Sequence, residues 1–118
     1  MKAIPKLSIV TITYNDPTGL RRTIESLKPL HLHWEHIVVD SSPEANKNII
    51  ATIEPDWPLK YIKTPAHGIY NAINTGVKAS TGRLVWLLNG GDELHNAFAL
   101  DDVLRLFKTY PTLDIALT

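Results

Sequence analysis

The stretch LSIVTITYNDPTGLRRTIESL, residues 7–27, decides the fold. Its first seven residues are rich in β-branched side chains and apolar on both faces. That pattern suits a buried strand of a parallel sheet better than a strand with one wet face. Asp16-Pro17 then reads as a helix N-cap followed by proline at the first helical position. Leu20, Thr23, Ile24 and Leu27 recur at helical spacing, and Pro29 is expected to stop the run.

The same alternation continues along the chain. Residues 34–39, WEHIVV, form a second predicted strand ending at Asp40. Ser41-Ser42-Pro43 again resembles a cap and a proline, leading into a weaker stripe of Ala45, Ile49 and Ile53. Residues 59–63, LKYIK, alternate like a short edge strand. Ile69, Ala72, Ile73, Gly76 and Val77 mark a helix over residues 68–79. RLVWLL at 83–88 is a fourth strand, residues 100–110 a further helix, and LDIALT at 113–118 the start of one more strand. Strand and helix alternate throughout, so the expected class is α/β, with a mainly parallel, Rossmann-like sheet and helices on both faces. Right-handed crossovers give the order 3-2-1-4 for the first four strands.

Composition narrows the function classes. The 118 residues amount to one domain, 1–118, and 44% hydrophobic residues are enough for a core. Twelve Lys and Arg balance twelve Asp and Glu, so no basic field favours nucleic acid. The absence of cysteine excludes disulfides, thiolate metal sites and a cysteine nucleophile. There is no signal-peptide pattern and no membrane-spanning run; a cytoplasmic location, with or without association at the inner face of the membrane, is expected.

The strand order places a switch point between the first and fourth strands, and ligands bind outside the carboxyl ends of strands at such points. Thr13-Tyr14-Asn15, Asp40 and Asn89-Gly90-Gly91-Asp92 end neighbouring strands there. TYNDPTG stands where a dinucleotide fold needs G-x-G-x-x-G, and no Walker A loop is present. An acidic pair for a phosphoacceptor domain is missing too, since Asp16 reads as a cap. His31, His33 and His36 have no partner at metal-ligand spacing and read as a solvated turn. Trp34, Trp57 and Trp86 read as packing.

The ordered set SIVTITYND, IVVDSS and GIYNAINTGVKASTGRLVWLLNGGDEL, from Leu7 to Leu94, resembles the family-2 glycosyltransferases, enzymes of the GT-A fold. The resemblance implies a nucleotide-diphosphate sugar donor, a UDP-sugar favoured, and Mn²⁺ or Mg²⁺. It implies transfer to a saccharide or lipid-linked acceptor, as in surface polysaccharide synthesis. A hard divalent cation would offset the diphosphate charge and aid the leaving group. By resemblance Asp40 contacts the nucleoside, and Thr13 and Tyr14 line the base pocket. Asn89 and Asp92 stand at the metal motif, where the family's D-x-D has become N-G-G-D. His67 and Asn71 are placed on the donor side. The general base is expected beyond Thr118, so the chain reads as a donor half, incomplete at its C-terminus and by itself inactive or weakly active. Its open edge at residues 113–118 is expected to self-associate. The alternative is a non-catalytic nucleotide-binding or assembly module that kept the fold.

Overall fold

The computed structural model describes residues 6–30 and 33–93. The helix expected over 100–110, the strand and self-associating edge expected over 113–118, and His31 lie outside the described residues. Four strands and three helices follow in alternation: β1 (Leu7–Thr13), α1 (Pro17–Ser26), β2 (Trp34–Asp40), α2 (Lys47–Ile53), β3 (Leu59–Lys63), α3 (Ile69–Ala79) and β4 (Leu84–Leu87). All pairings are parallel, in the expected order β3-β2-β1-β4. The register sets Thr13 beside Asp40 and Val10 beside Leu87. The carboxyl ends of β1 and β2 therefore finish level, which fixes the position of the functional end.

Burial on both faces explains why β1 is apolar at odd and even positions. On one face Leu7, Ile9, Trp34 and Val38 pack with Leu20, Ile24 and Leu27 of α1 and with Ile53 and Trp57. On the other, Val10, Ile37 and Val39 pack with Ala72 of α3. Fully buried side chains such as Leu20, Ile24 and Leu27 contribute about 1.5–3 kcal/mol each. A Cβ on Gly76 would stand 2.3 Å from Val10 Cγ1, so the glycine lets α3 lie flush on β1. The three tryptophans pack as expected: Trp34 and Trp57 are buried with ring centroids 5.0 Å apart, and Trp86 sits against the α1-side core. Among the described residues no helix is long and apolar enough to cross a membrane.

Asp16 caps α1 as expected, its Oδ1 accepting from Gly19 N at 2.9 Å, with Pro17 at the start of the helix. The helix ends at Ser26, and short-range bonds from Leu27, Lys28 and Leu30 continue the turn past Pro29. Three expectations are corrected. The second helix does not start at Ser41-Ser42-Pro43; it begins at Lys47 after Asn46, which makes no side-chain cap bond. The reason is Asp40, whose carboxylate accepts from Ser42 N and Asn46 N and winds residues 41–46 around itself before the helix begins. β4 is two residues shorter than expected, and Val85 and Leu87 are exposed, because α3 covers β1 and β2 instead. His36 is no part of a solvated turn. It is fully buried in mid-sheet, its Nε2 2.8 Å from Thr11 Oγ1, and burial lowers its pKa to about 3.

The amino end of the sheet is closed by hydrogen bonds. Glu35 accepts from Ser8 Oγ at 2.6 Å and from Thr81 N at 2.5 Å and Oγ1 at 2.9 Å. Lys6 Nζ lies 3.6 Å from its other oxygen, and Gly82 N donates to Ser8 Oγ at 2.8 Å. This latch ties the α3–β4 turn to the start of β1 and β2. Burial pushes the Glu35 pKa up, but the bonds from Ser8 and Thr81 and the Lys6 charge outweigh it and bring it down to about 2.

Candidate functional site

The carboxyl end of the sheet is open. A cavity of about 440 Å³ lies there, lined by Ile12, Thr13, Tyr14, Ser41, Ala66, Gly68, Ile69, Ala72 and Asn89. It draws on the ends of β1, β2 and β4 and on the turn that begins α3. Of the expected site residues, Thr13, Tyr14 and Asn89 meet in its wall. Thr13 is only 6% exposed, yet its hydroxyl has no hydrogen-bond partner among the described residues. The hydroxyl oxygen is itself buried beneath the Gly90 turn, and burying it unpaired is unfavourable by about 1–3 kcal/mol. Tyr14, which also lines the cavity, is 56% exposed. Asn15, with φ 50°, turns the chain away and donates its N–H to Ser42 Oγ at 2.8 Å.

Asp40 does not reach the cavity. It is fully buried, one oxygen bonded to Ser42 N at 2.9 Å and the other to Asn46 N at 3.1 Å and the Tyr61 hydroxyl. Burial raises its pKa, but the hydrogen bonds from Ser42, Tyr61 and Asn46 prevail and hold it below the usual value. Tyr61 is pushed up to about 12 by burial and by its bond to the same carboxylate. Asp40 thus organises the loop whose first residue, Ser41, lines the cavity. His67 is exposed in the turn between Ala66 and Gly68, which do line it. Asn71 is exposed, and the cavity wall at that turn of α3 is Ala72.

The Asn89–Asp92 segment is a tight turn: Asp92 N donates to Asn89 O at 2.9 Å, and Gly91 sits at φ 97°. A positive φ at this third position is what a type II turn requires, and glycine meets it without strain. A Cβ on Gly90 would come 3.0 Å from Thr13 Oγ1, so the turn lies close against the end of β1. Asp92 is exposed outside the cavity wall, and Asp16 Oδ2 is 3.7 Å from where a Cβ on Gly91 would stand. Among the described residues no group of three His, Cys, Asp or Glu side chains converges as a metal cage.

Several participants escaped the sequence reading. Ser41 and the Gly68–Ile69 start of α3 line the cavity, and Tyr61 holds Asp40, which organises the Ser41 loop. The α3 N-terminus has no side-chain cap, which leaves first-turn N–H groups and the positive end of the helix dipole at the cavity edge. Glycine before a helix stripe was the available signal for that start.

Comparison with known proteins agrees with this geometry. The model of Glycosyl transferase family 2 matches residues 8–117. Two uncharacterized glycosyltransferases of Mycobacterium tuberculosis, MT1564 and Rv1514c, are each 32% identical over 97 residues, covering 78% of this chain and 36% of their own length. The chain therefore spans about a third of the curated relatives it matches. Among solved structures, the mannosyltransferase PcManGT from Pyrobaculum calidifontis, in complex with GDP-Man and Mn²⁺, superposes with a TM-score of 0.79 at 20% identity. That match covers 89% of this chain and 33% of the other. Residues 1–349 of S. aureus TarS give a TM-score of 0.79 at 22% identity, covering 90% and 33%. These two likenesses establish a GT-A-like fold; with the family match, which spans most of its length, the chain belongs to glycosyltransferase family 2.

Proposed function

We propose that this chain forms the donor-nucleotide site of a glycosyltransferase, binding a nucleotide-diphosphate sugar for transfer to a saccharide or lipid-linked acceptor. The observation that carries the reading is the cavity at the switch point, lined by the ends of β1, β2 and β4 and by the start of α3. Its described lining holds no carboxylate or imidazole, so these residues are equipped to hold a ligand rather than to move a proton. Tyr14 stacks on the base, Ser41 hydrogen-bonds the nucleoside, and Thr13 lines the pocket. Asp40 serves that pocket by fixing the Ser41–Asn46 loop. The uncapped start of α3 faces the diphosphate, with His67 and Asn71 beside it.

The family implies a divalent metal, and the oxygen donors on the Asn89–Asp92 turn suit one. The Asn89 amide and the Asp92 carboxylate are hard ligands, and Asp16 stands close to the turn. They fit an ion that shares its shell with diphosphate and water oxygens, as Mg²⁺ and Mn²⁺ do, rather than an all-protein cage. When bound, such an ion supplies charge neutralisation for the departing nucleotide.

The test is calorimetric titration and thermal shift of the 118-residue chain with UDP, GDP, dTDP and CMP, each with and without Mn²⁺. UDP with Mn²⁺ should stabilise most, by ~2.7 kcal/mol at a hundred times its dissociation constant. No shift with any nucleotide at millimolar concentration overturns the reading.

A further inference from the structure

We infer that Thr23, on α1, is the positioning residue of the Asn89–Asp92 turn, fixing the orientation from which Asn89 and Asp92 meet the diphosphate and its metal. The inference rests on the donor-site reading above but concerns a residue outside the cavity.

Thr23 sits in the apolar stripe Leu20, Thr23, Ile24 and Leu27, and it is fully buried. A valine would fill nearly the same volume there without burying a hydroxyl. Packing therefore gives no reason for threonine, and the reason lies across the molecule. Thr23 Oγ1 donates to Asp92 O at 2.6 Å and stands 3.3 Å from Asn89 O. It accepts from Gly91 N at 2.9 Å. One hydroxyl thus engages backbone groups of the first, third and fourth residues of the turn. Gly91 N also lies 3.1 Å from Gly19 O, one helical turn earlier on α1, and Arg22 pairs with Glu93 at 3.5 Å. With the carbonyls of Asn89 and Asp92 drawn toward α1, their side chains are held on a fixed backbone. A turn containing two consecutive glycines has high conformational entropy of its own, so an external clamp matters more here than in an ordinary loop.

The consequence is specific. Loss of the hydroxyl should weaken what the turn contributes, the metal-dependent part of nucleotide binding, and spare what β1 and Ser41 contribute. The experiment compares wild type, Thr23→Val and Thr23→Ser by amide hydrogen exchange and by titration with UDP, with and without Mn²⁺. Thr23→Val should stay folded, speed exchange at Gly91 at least tenfold, and reduce the Mn²⁺-dependent gain in UDP affinity about tenfold. Metal-free UDP affinity should hold, and Thr23→Ser should restore both losses. Unchanged Gly91 exchange and an unchanged Mn²⁺ gain in Thr23→Val, or equal loss of metal-free and metal-dependent binding, overturns the clamp. Should Thr23→Val not fold, Thr23→Ala, which removes the same hydroxyl, is read in its place, with the same losses expected and the same outcomes overturning the clamp. A wild type that binds no nucleotide overturns the donor-site reading and the functional role of Thr23 with it, whereas a wild type that binds beside an unaffected Thr23→Val overturns the clamp by itself.

Discussion

The two ends of the sheet are built from the same strands and treat polar groups in opposite ways. At the amino end, Glu35, Ser8, Thr81 and Lys6 satisfy one another in a closed latch. At the carboxyl end, Thr13 keeps a buried hydroxyl unpaired, α3 begins without a capping side chain, and a cavity stands open. The difference lies in whether the groups are paired. Pairing stabilises the fold, and the uncapped N–H groups that α3 leaves at the cavity edge are what a ligand can use. The carboxyl end is itself layered. Behind the open wall, Asp40 forms a second closed cluster with Ser42, Asn46 and Tyr61 that holds the wall in shape.

That layering is most sharply broken at Asp40. Asp40→Ala leaves the Ser42 N–H and the Tyr61 hydroxyl without their acceptor, whereas the Asn46 N–H keeps the Tyr61 oxygen at 2.9 Å. At ~1–3 kcal/mol for each orphaned group, the expected loss is about 2 kcal/mol or more. Urea denaturation should show it, and nucleotide binding should fall because the Ser41 loop comes loose. A variant with wild-type stability and lost binding would instead make Asp40 a direct ligand contact.

The amino-end latch should show its strength through pH. The folded pKa of Glu35 is depressed, from 4.5 to about 2, so its ionised form is the one that stabilises the fold. That contribution is fully present above pH 4.5 and is lost as pH falls toward 2. Glu35→Gln should therefore be less stable than wild type by roughly 1.5–3 kcal/mol at neutral pH, the usual worth of hydrogen bonds to a charged group. The gap should close between pH 4.5 and 2. His36 is also depressed and lowers stability below pH 6.5, but it acts on both proteins alike, so their difference isolates Glu35. A gap that stays constant across that range would show that the latch works through shape and not charge.

How far the sequence carries differs between local and distant features. β1, with LSIVTIT at 7–13, and β3, with LKYIK at 59–63, fall where their patterns place them, because strand identity is written in neighbouring residues. The strand order follows from the alternation plus crossover handedness. The start of α2 does not, because Asp40 competes for the backbone of residues 41–46 and overrides the Ser-Pro cap signal. His36 misleads for the opposite reason: a polar residue between apolar ones looks solvated until Thr11, 25 positions away, supplies its partner. At the site, Thr13, Tyr14 and Asn89 were legible as strand ends at a switch point. Thr23 was visible as an odd hydroxyl in an apolar stripe, but its partners lie 66–69 positions along the chain, beyond any periodicity.

The smallest effect on stability, and the sharpest test of the contrast between paired and unpaired ends, is expected at Thr13. In most buried positions threonine to valine removes a hydrogen bond and destabilises. Here the hydroxyl has none to lose among the described residues, and it is desolvated at the end of β1. Thr13→Val exchanges that unpaired oxygen for a methyl group of similar size on the same β-branched frame, which suits the strand equally well. Stability should therefore rise, by about 1 kcal/mol, the low end of what burying an unpaired hydroxyl costs. Nucleotide affinity should stay within about twofold, because the oxygen is shut off from the cavity beneath the Gly90 turn and the strand end keeps its shape. The two measurements, denaturation midpoint and titration, belong on the same preparation. A clear loss of stability would reveal a pairing for Thr13 inside the folded chain and make the cavity wall as closed as the latch at the other end. A clear loss of affinity would instead put the Thr13 hydroxyl on the ligand, whereas an affinity that holds leaves Ser41 and the start of α3 as the polar contacts to be tested. A more stable protein that binds its nucleotide equally well would mean that the unpaired group at this end is a cost to the fold that the ligand does not relieve.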